Sequence, residues 1–228
     1  MSFSDFIAVR AEAPGGLGLW MATLVSYVVN PLILPPLVYA MVLAHMGASR
    51  IDVLWGAGIG LVFLALVPLT YVGWMRLQGR IESLEIRDRS KRAEPFLVVL
   101  GAGVAAFGTV LGMDITGRQL LAALVGCHVL NTSLLFLVTT RWKISVHCAS
   151  VAGAVATLAF VRGHVPGTVL DAAGLGPALL GGGALLVGLV LWARIRSRAH
   201  TPGQAVAGTV LGLAPYVELL ALAQWIGL

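Results

Sequence analysis

Arg194, His200 and Gln204 fall in the stretch Ala193-Arg194-Ile195-Arg196-Ser197-Arg198-Ala199-His200-Thr201-Pro202-Gly203-Gln204, which sets three arginines within five residues and a histidine just beyond them. Ser145 and His147 stand in Ile144-Ser145-Val146-His147, and Arg87 and Arg92 in a polar stretch that closes on Glu94-Pro95. A guanidinium presents a planar fork of donors that matches phosphate oxygens, and an imidazole near neutral pH serves as nucleophile or proton carrier. Cationic forks with a hydroxyl donor can hold a phosphate, while two histidines attack it and protonate the leaving oxygen. No carboxylate cluster suggests magnesium, so arginine would neutralise the phosphate charge instead.

Plainer roles exist for each of these residues. Arginines at a membrane boundary fix topology, and Arg196 and Arg198 fit that role better than a ligand role. Ser145 suits a helix N-cap, which is compatible with phosphate binding. His45 and His164 have no evident chemical partner and read as structural.

The elements that must position these groups are membrane spans. The chain has 228 residues, 58% of them hydrophobic and 11% charged, well beyond the apolar content of a soluble domain. Its runs are continuously apolar rather than alternating, which points to an all-α, polytopic integral-membrane helix bundle of about six or seven spans and not to a barrel. One membrane domain covers residues 1–228, with an N-terminal segment, 1–16, that could lie on the membrane surface as a short amphipathic helix and lacks the basic opening of a signal peptide.

The first span, about 17–46, carries Asn30-Pro31 and Pro35-Pro36, so a kink or break is expected. The second, about 53–75, has Trp55 and Trp74 near its ends as interfacial anchors. The polar loop that follows, 76–95, holds six of the fifteen basic residues and four of the ten acidic ones. The third span is expected over 96–113. The fourth, over 120–140, carries His128, Asn131, Thr132 and Ser133 on one face, a pattern that favours interhelical hydrogen bonding over a headgroup contact. A fifth span runs to about Val161, a sixth covers 176–192 with Gly181-Gly182-Gly183 suited to close packing, and a seventh covers 204–225 with Glu218 inside it. Cys127 and Cys148 both lie in apolar context and define neither a disulfide framework nor a zinc site. No basic stripe interleaved with aromatics suggests nucleic acid.

Counting spans makes the chemistry coherent. Two spans separate the polar loop from Ser145 and His147, and two more separate these from His200. All three polar sites therefore emerge on one side of the membrane.

These residues resemble the three-motif signature of the type 2 phosphatidic acid phosphatase superfamily of membrane lipid phosphatases. That family carries Lys-x6-Arg-Pro, then Pro-Ser-Gly-His, then Ser-Arg-x5-His-x3-Asp. Here the first motif reads Arg87, six residues, Glu94-Pro95, the second Ile144-Ser145-Val146-His147, and the third Ala193-Arg194, five residues, His200, three residues, Gln204. The resemblance covers about Arg87 to Gln204 in the family's order. It implies a metal-independent phosphatase acting on a lipid phosphate or polyprenyl diphosphate. By the same resemblance, His200 is the nucleophile that forms a phosphohistidine, His147 protonates the departing lipid oxygen, and Arg87, Ser145 and Arg194 hold the phosphoryl group. Gln204 stands where the family has the aspartate that orients the nucleophile. Glu94 stands where it has an arginine, and Arg92 is the nearest replacement. Ala193, Ile144 and Val146 replace a serine, a proline and a glycine.

Two rival functions follow from these departures and from the membrane setting. One is a lipid-phosphate binder or transporter that has lost catalysis, motivated by Gln204 and Glu94. The other is a metal-dependent prenyl- or phosphatidyl-transferase, for which the polar loop offers only Glu82, Glu85, Asp88 and Glu94. The expected partners are a lipid phosphate or isoprenoid diphosphate and the bilayer. Span parity puts twelve basic residues on the motif side and three (Arg50, Arg118, Arg162) on the other, so the positive-inside rule sets the site on the cytoplasmic side of the cell (inner) membrane.

Overall fold

The computed structural model describes residues 16–81, 91, 93–172 and 174–228. Among them every regular element is helical and no strand occurs. Seven helical stretches among the described residues are long and apolar enough to cross a membrane, which makes this an integral-membrane helix bundle. The N-terminal segment, and Arg87 and Arg92, lie outside the described residues.

The first span is broken where its prolines demand it. Helix α1, Gly16–Val28, stops before Asn30, whose side chain accepts a hydrogen bond from the Leu32 N–H (3.0 Å). A single 3₁₀ turn, Pro31–Ile33, then leads into α2, Leu34–His45. Proline has no N–H to donate and its ring excludes the preceding turn's carbonyl, so the chain redirects here rather than running straight.

The second span opens at Ser49, whose hydroxyl accepts from the Asp52 N–H (3.1 Å) and caps α3, Arg50–Leu61. A π turn, Val62–Leu66, joins it to α4, Val67–Leu77. Pro68 accounts for the widening, because it withholds the donor a regular helix would supply, and the Val67 N–H reaches back to the Val62 carbonyl instead. The sequence does not announce the wide turn.

Five further helices complete the spans: α5, Ala93–Leu111; α6, Arg118–Thr139; α7, Val146–His164; α8, Leu175–Arg196; and α9, Pro202–Gly212, continued by α10, Ala214–Ala221. The expected single seventh helix is in fact two. Pro215 lies at the start of α10 and cannot donate to the Leu211 carbonyl, so the helix breaks at Leu213. The sixth helix runs further than expected, which carries Arg194 and Arg196 onto its last turn.

Lipid tails are as apolar as leucine, so helices in a bilayer associate through close packing and interhelical hydrogen bonds rather than through hydrophobic burial. Gly208 and Gly212 show where this matters most. A Cβ at Gly208 would stand 2.5 Å from the Ser145 carbonyl oxygen, and one at Gly212 would collide with the Ala149 carbonyl, so α9 lies backbone to backbone on α7. The Gly181-Gly182-Gly183 triplet does less than its composition suggests. Only Gly183 meets a neighbour, Val155, whereas Gly181 and Gly182 face open space.

The polar band on α6 does bond between helices. Asn131 Nδ2 donates to Glu218 of α10 (2.7 Å) and to the Cys127 carbonyl (2.8 Å), while Ser133 bonds back to its own helix at Val129. His45 is structural as expected and wholly buried. Its Nε2 lies 3.0 Å from the Val165 carbonyl and its Nδ1 accepts from the Leu170 N–H (3.1 Å), which fixes the neutral Nε2–H tautomer. These bonds fasten the end of the first span to the loop after α7, on the membrane face opposite the three motifs.

Candidate active site

The second and third motifs meet at the starts of two neighbouring helices. Ser145 is the N-cap of α7, fully buried, with its hydroxyl accepting from the Cys148 N–H (3.3 Å). Its backbone N–H donates to the Gln204 carbonyl (3.2 Å), so the entry to α7 is sewn to the first turn of α9. One step earlier, Lys143 Nζ donates to the Ala199 carbonyl (2.8 Å). Beneath this seam, Cys148, Val151, Val190 and Ala205 pack together and bind α7, α8 and α9 into one unit.

Arg194 and His200 are held by the turn between α8 and α9. The N–H groups of Ala199 and His200 both donate to the Arg194 carbonyl (3.1 and 3.2 Å), a tight reversal completed by Arg198 in the left-handed region (φ 54°). Arg194 is only 5% exposed, unusual for a side chain that serves as a boundary anchor. Arg196 and Arg198 are both exposed, in keeping with anchoring. His147, in the first turn of α7, and His200 are half-buried.

Two helix N-termini, those of α7 and α9, thus converge beside a buried arginine and two histidines. Unsatisfied N–H groups and the helix dipole make each such end attractive to an anion. The arrangement can hold a phosphate and pass a proton across it.

Gln204 carries a task that its motif position does not suggest. Its Oε1 accepts from the Thr201 N–H (3.1 Å) and the Thr201 hydroxyl accepts from the Gln204 N–H (3.3 Å), closing a capping box at the start of α9. The amide oxygen at the position of the family's orienting aspartate thus holds the helix end. The Thr201-x-x-Gln204 spacing is itself the sequence signature of that cap.

Glu94, at the first motif's arginine position, pairs with Arg80 (2.5 Å) and accepts from the Tyr71 hydroxyl (3.0 Å), tying the start of α5 to the end of α4. This hydrogen-bonded carboxylate raises the pKa of the Arg80 guanidinium above its ordinary value. The first motif still reaches the second through its neighbour. Phe96 packs in a cluster with Leu135, Ile144 and Ala149, and its ring lies 5.5 Å from that of Phe136. Glu82, Glu85 and Asp88, which a metal-dependent transferase would need, lie outside the described residues, as do Arg87 and Arg92.

Lys143 and Thr201 are the site-forming residues that motif reading passes over. A lysine next to the second motif and a T-x-x-Q spacing were the available signals. No protein-family model matches the chain, and no curated protein or solved structure is significantly similar to it.

Proposed function

We propose that the protein is a metal-independent membrane phosphatase that hydrolyses a lipid phosphate or polyprenyl diphosphate. The observation that carries this reading is the seam between the second and third motifs, the Ser145 N–H on the Gln204 carbonyl at 3.2 Å with buried Arg194 beside it. Residues 59 positions apart in the sequence would have no reason to share a helix-start junction if the arginines and histidines were scattered topology anchors.

In the proposed reaction an imidazole nitrogen of His200 attacks phosphorus and the P–O bond to the lipid breaks. His147 gives its proton to that oxygen, so the lipid leaves as an alcohol or, from a diphosphate, as the monophosphate. Water then attacks the phosphohistidine, returns a proton to His147 and releases inorganic phosphate. Arg194 and the α7 N-terminus stabilise the phosphoryl charge, with Arg87 or Arg92 as the further ligand that the family resemblance implies. The enzyme belongs to the cell (inner) membrane with its site at the cytoplasmic surface, on the strength of the basic-residue asymmetry.

Phosphate release from phosphatidate, phosphatidylglycerophosphate and short and long prenyl diphosphates, measured with a chelator present, tests the proposal. Release that persists supports it, and release abolished by the chelator would transfer the chain to a metal-dependent class. Capping by Gln204 favours one other reading, a lipid-phosphate binder without turnover, which saturable binding with no release on any member of the panel would establish.

A further inference from the structure

Lys143 stands two residues ahead of Ser145, in the connector between α6 and α7. It is half-buried, whereas Arg141, Arg196 and Arg198 of the same membrane face are exposed. A cation that only fixes topology keeps its head in water, so the three arginines fill that role and Lys143 is drawn inward for another. Its Nζ donates to the Ala199 carbonyl (2.8 Å), 56 positions along the chain. That oxygen belongs to the peptide unit whose nitrogen is the backbone nitrogen of His200.

The same peptide unit is held at its other polar atom, because the His200 N–H donates to the Arg194 carbonyl (3.2 Å). The unit that follows is held too, by the Thr201 N–H on Gln204 Oε1 (3.1 Å). Peptide units are planar and each residue has only two soft dihedrals, so fixing the planes on both sides of His200 fixes the direction of its Cα–Cβ bond. Of these three bonds, only that of Lys143 reaches across from the entry to α7. It also acts where the backbone is under strain. Arg198, just upstream, lies at φ 54°, a region that side chains other than glycine's rarely enter and that persists where the surroundings over-determine it. A charged donor on the neighbouring carbonyl, about twice as strong as a neutral one, supplies such a constraint. Close by, the Trp142 ring lies over Gly203, where an added Cβ would meet it at 3.8 Å, and the Ser145 N–H bonds the Gln204 carbonyl.

We infer that Lys143 is the positioning residue of His200: it holds the peptide unit ahead of the imidazole, so that the ring meets phosphorus in one orientation. The inference rests on the phosphatase reading for the chemistry that His200 performs. The holding of His200 can be read without turnover.

The test uses the full chain in nanodiscs carrying Lys143→Cys, whose native Cys127 and Cys148 are buried and shielded from alkylation. Reaction with 2-bromoethylamine rebuilds a side chain of lysine length with its ammonium, and 1-bromopropane rebuilds the same length without it. Both forms come from one folded preparation, so the difference between them reports the ammonium. Carbethoxylation of His200 by diethyl pyrocarbonate is read by peptide mass spectrometry against that of exposed His164. It should be about tenfold faster in the propyl form, where the half-buried ring is released, and equal to wild type in the aminoethyl form. On a prenyl diphosphate the propyl form should lose about ten- to a hundredfold in kcat with KM unchanged, and the aminoethyl form should recover the loss. Equal His200 reactivity in the two forms would overturn the inference. So would a loss carried by KM, which makes Lys143 a phosphate ligand instead. A wild type that releases no phosphate from any lipid defeats the phosphatase reading, and the His200 reactivity ratio then decides this inference by itself.

Discussion

At the scale of single residues, His200 and His147 make separable predictions. His200→Ala is expected to reduce turnover to background while the protein stays folded and membrane-inserted, because a half-buried nucleophile in the turn between two helices contributes to chemistry more than to packing. Size-exclusion elution and melting temperature, measured beside phosphate release, check both halves. His147→Ala should lose most on lipid alkoxides and far less on an activated aryl phosphate, whose leaving group needs no proton. Equal losses on the two substrates would remove His147 from the acid role. Gln204 divides a capping from a catalytic role in the same way. As the N3 member of a capping box, it can be replaced by glutamate with little effect, whereas Gln204→Ala should cost about 0.3–1.5 kcal/mol of stability. Urea or thermal denaturation reads that difference directly. A fully stable Gln204→Ala variant with collapsed turnover would return the residue to the part of histidine orienter.

Among the elements, the junction of α7 with α9 governs whether the site forms. The contact is backbone on backbone, so it has no side chain that can yield. Gly208→Ala drives a methyl group against the Ser145 carbonyl and should destabilise the bundle by about 1–3 kcal/mol, the usual range for overpacking. Turnover should fall with it, because Ser145 cannot move without opening its bond to Gln204. Gly182→Ala is the control: it meets nothing and should leave both quantities unchanged. Comparing the two variants by thermal melt and phosphate release isolates the junction from glycine loss in general.

Spans were legible in the sequence because hydropathy and length nearly suffice for helices in lipid. Kinks at Asn30-Pro31 and the N-cap at Ser145 were legible too, since each is a local rule obeyed by a local residue. What escaped was set by partners far along the chain or by which face of a helix a residue occupies. The π turn depends on how Pro68 redistributes donors, the split of the last span on Pro215, and the idleness of Gly181 and Gly182 on helix rotation. Gln204 was read for its motif position when its distance from Thr201 held a second and simpler meaning.

For the whole molecule, orientation is the decisive property. Native Cys127 and Cys148 are both buried, which leaves engineered cysteines as clean reporters. Thr140 and Thr168 are exposed on opposite faces, one beside the motifs and one in the loop that α2 anchors. With the site cytoplasmic, an impermeant maleimide applied to intact cells should label Thr168→Cys readily and Thr140→Cys only after permeabilisation. The reverse pattern would place the chemistry outside the cytoplasm.

His45 also sets a clock. The carbonyl it meets belongs to a residue 120 positions later. At about 5–20 residues per second, a ribosome needs roughly 6–24 s to supply that residue. Until α7 has been made and threaded, the first span must keep its place in the bilayer by hydropathy alone, with its buried histidine still waiting for both neighbours.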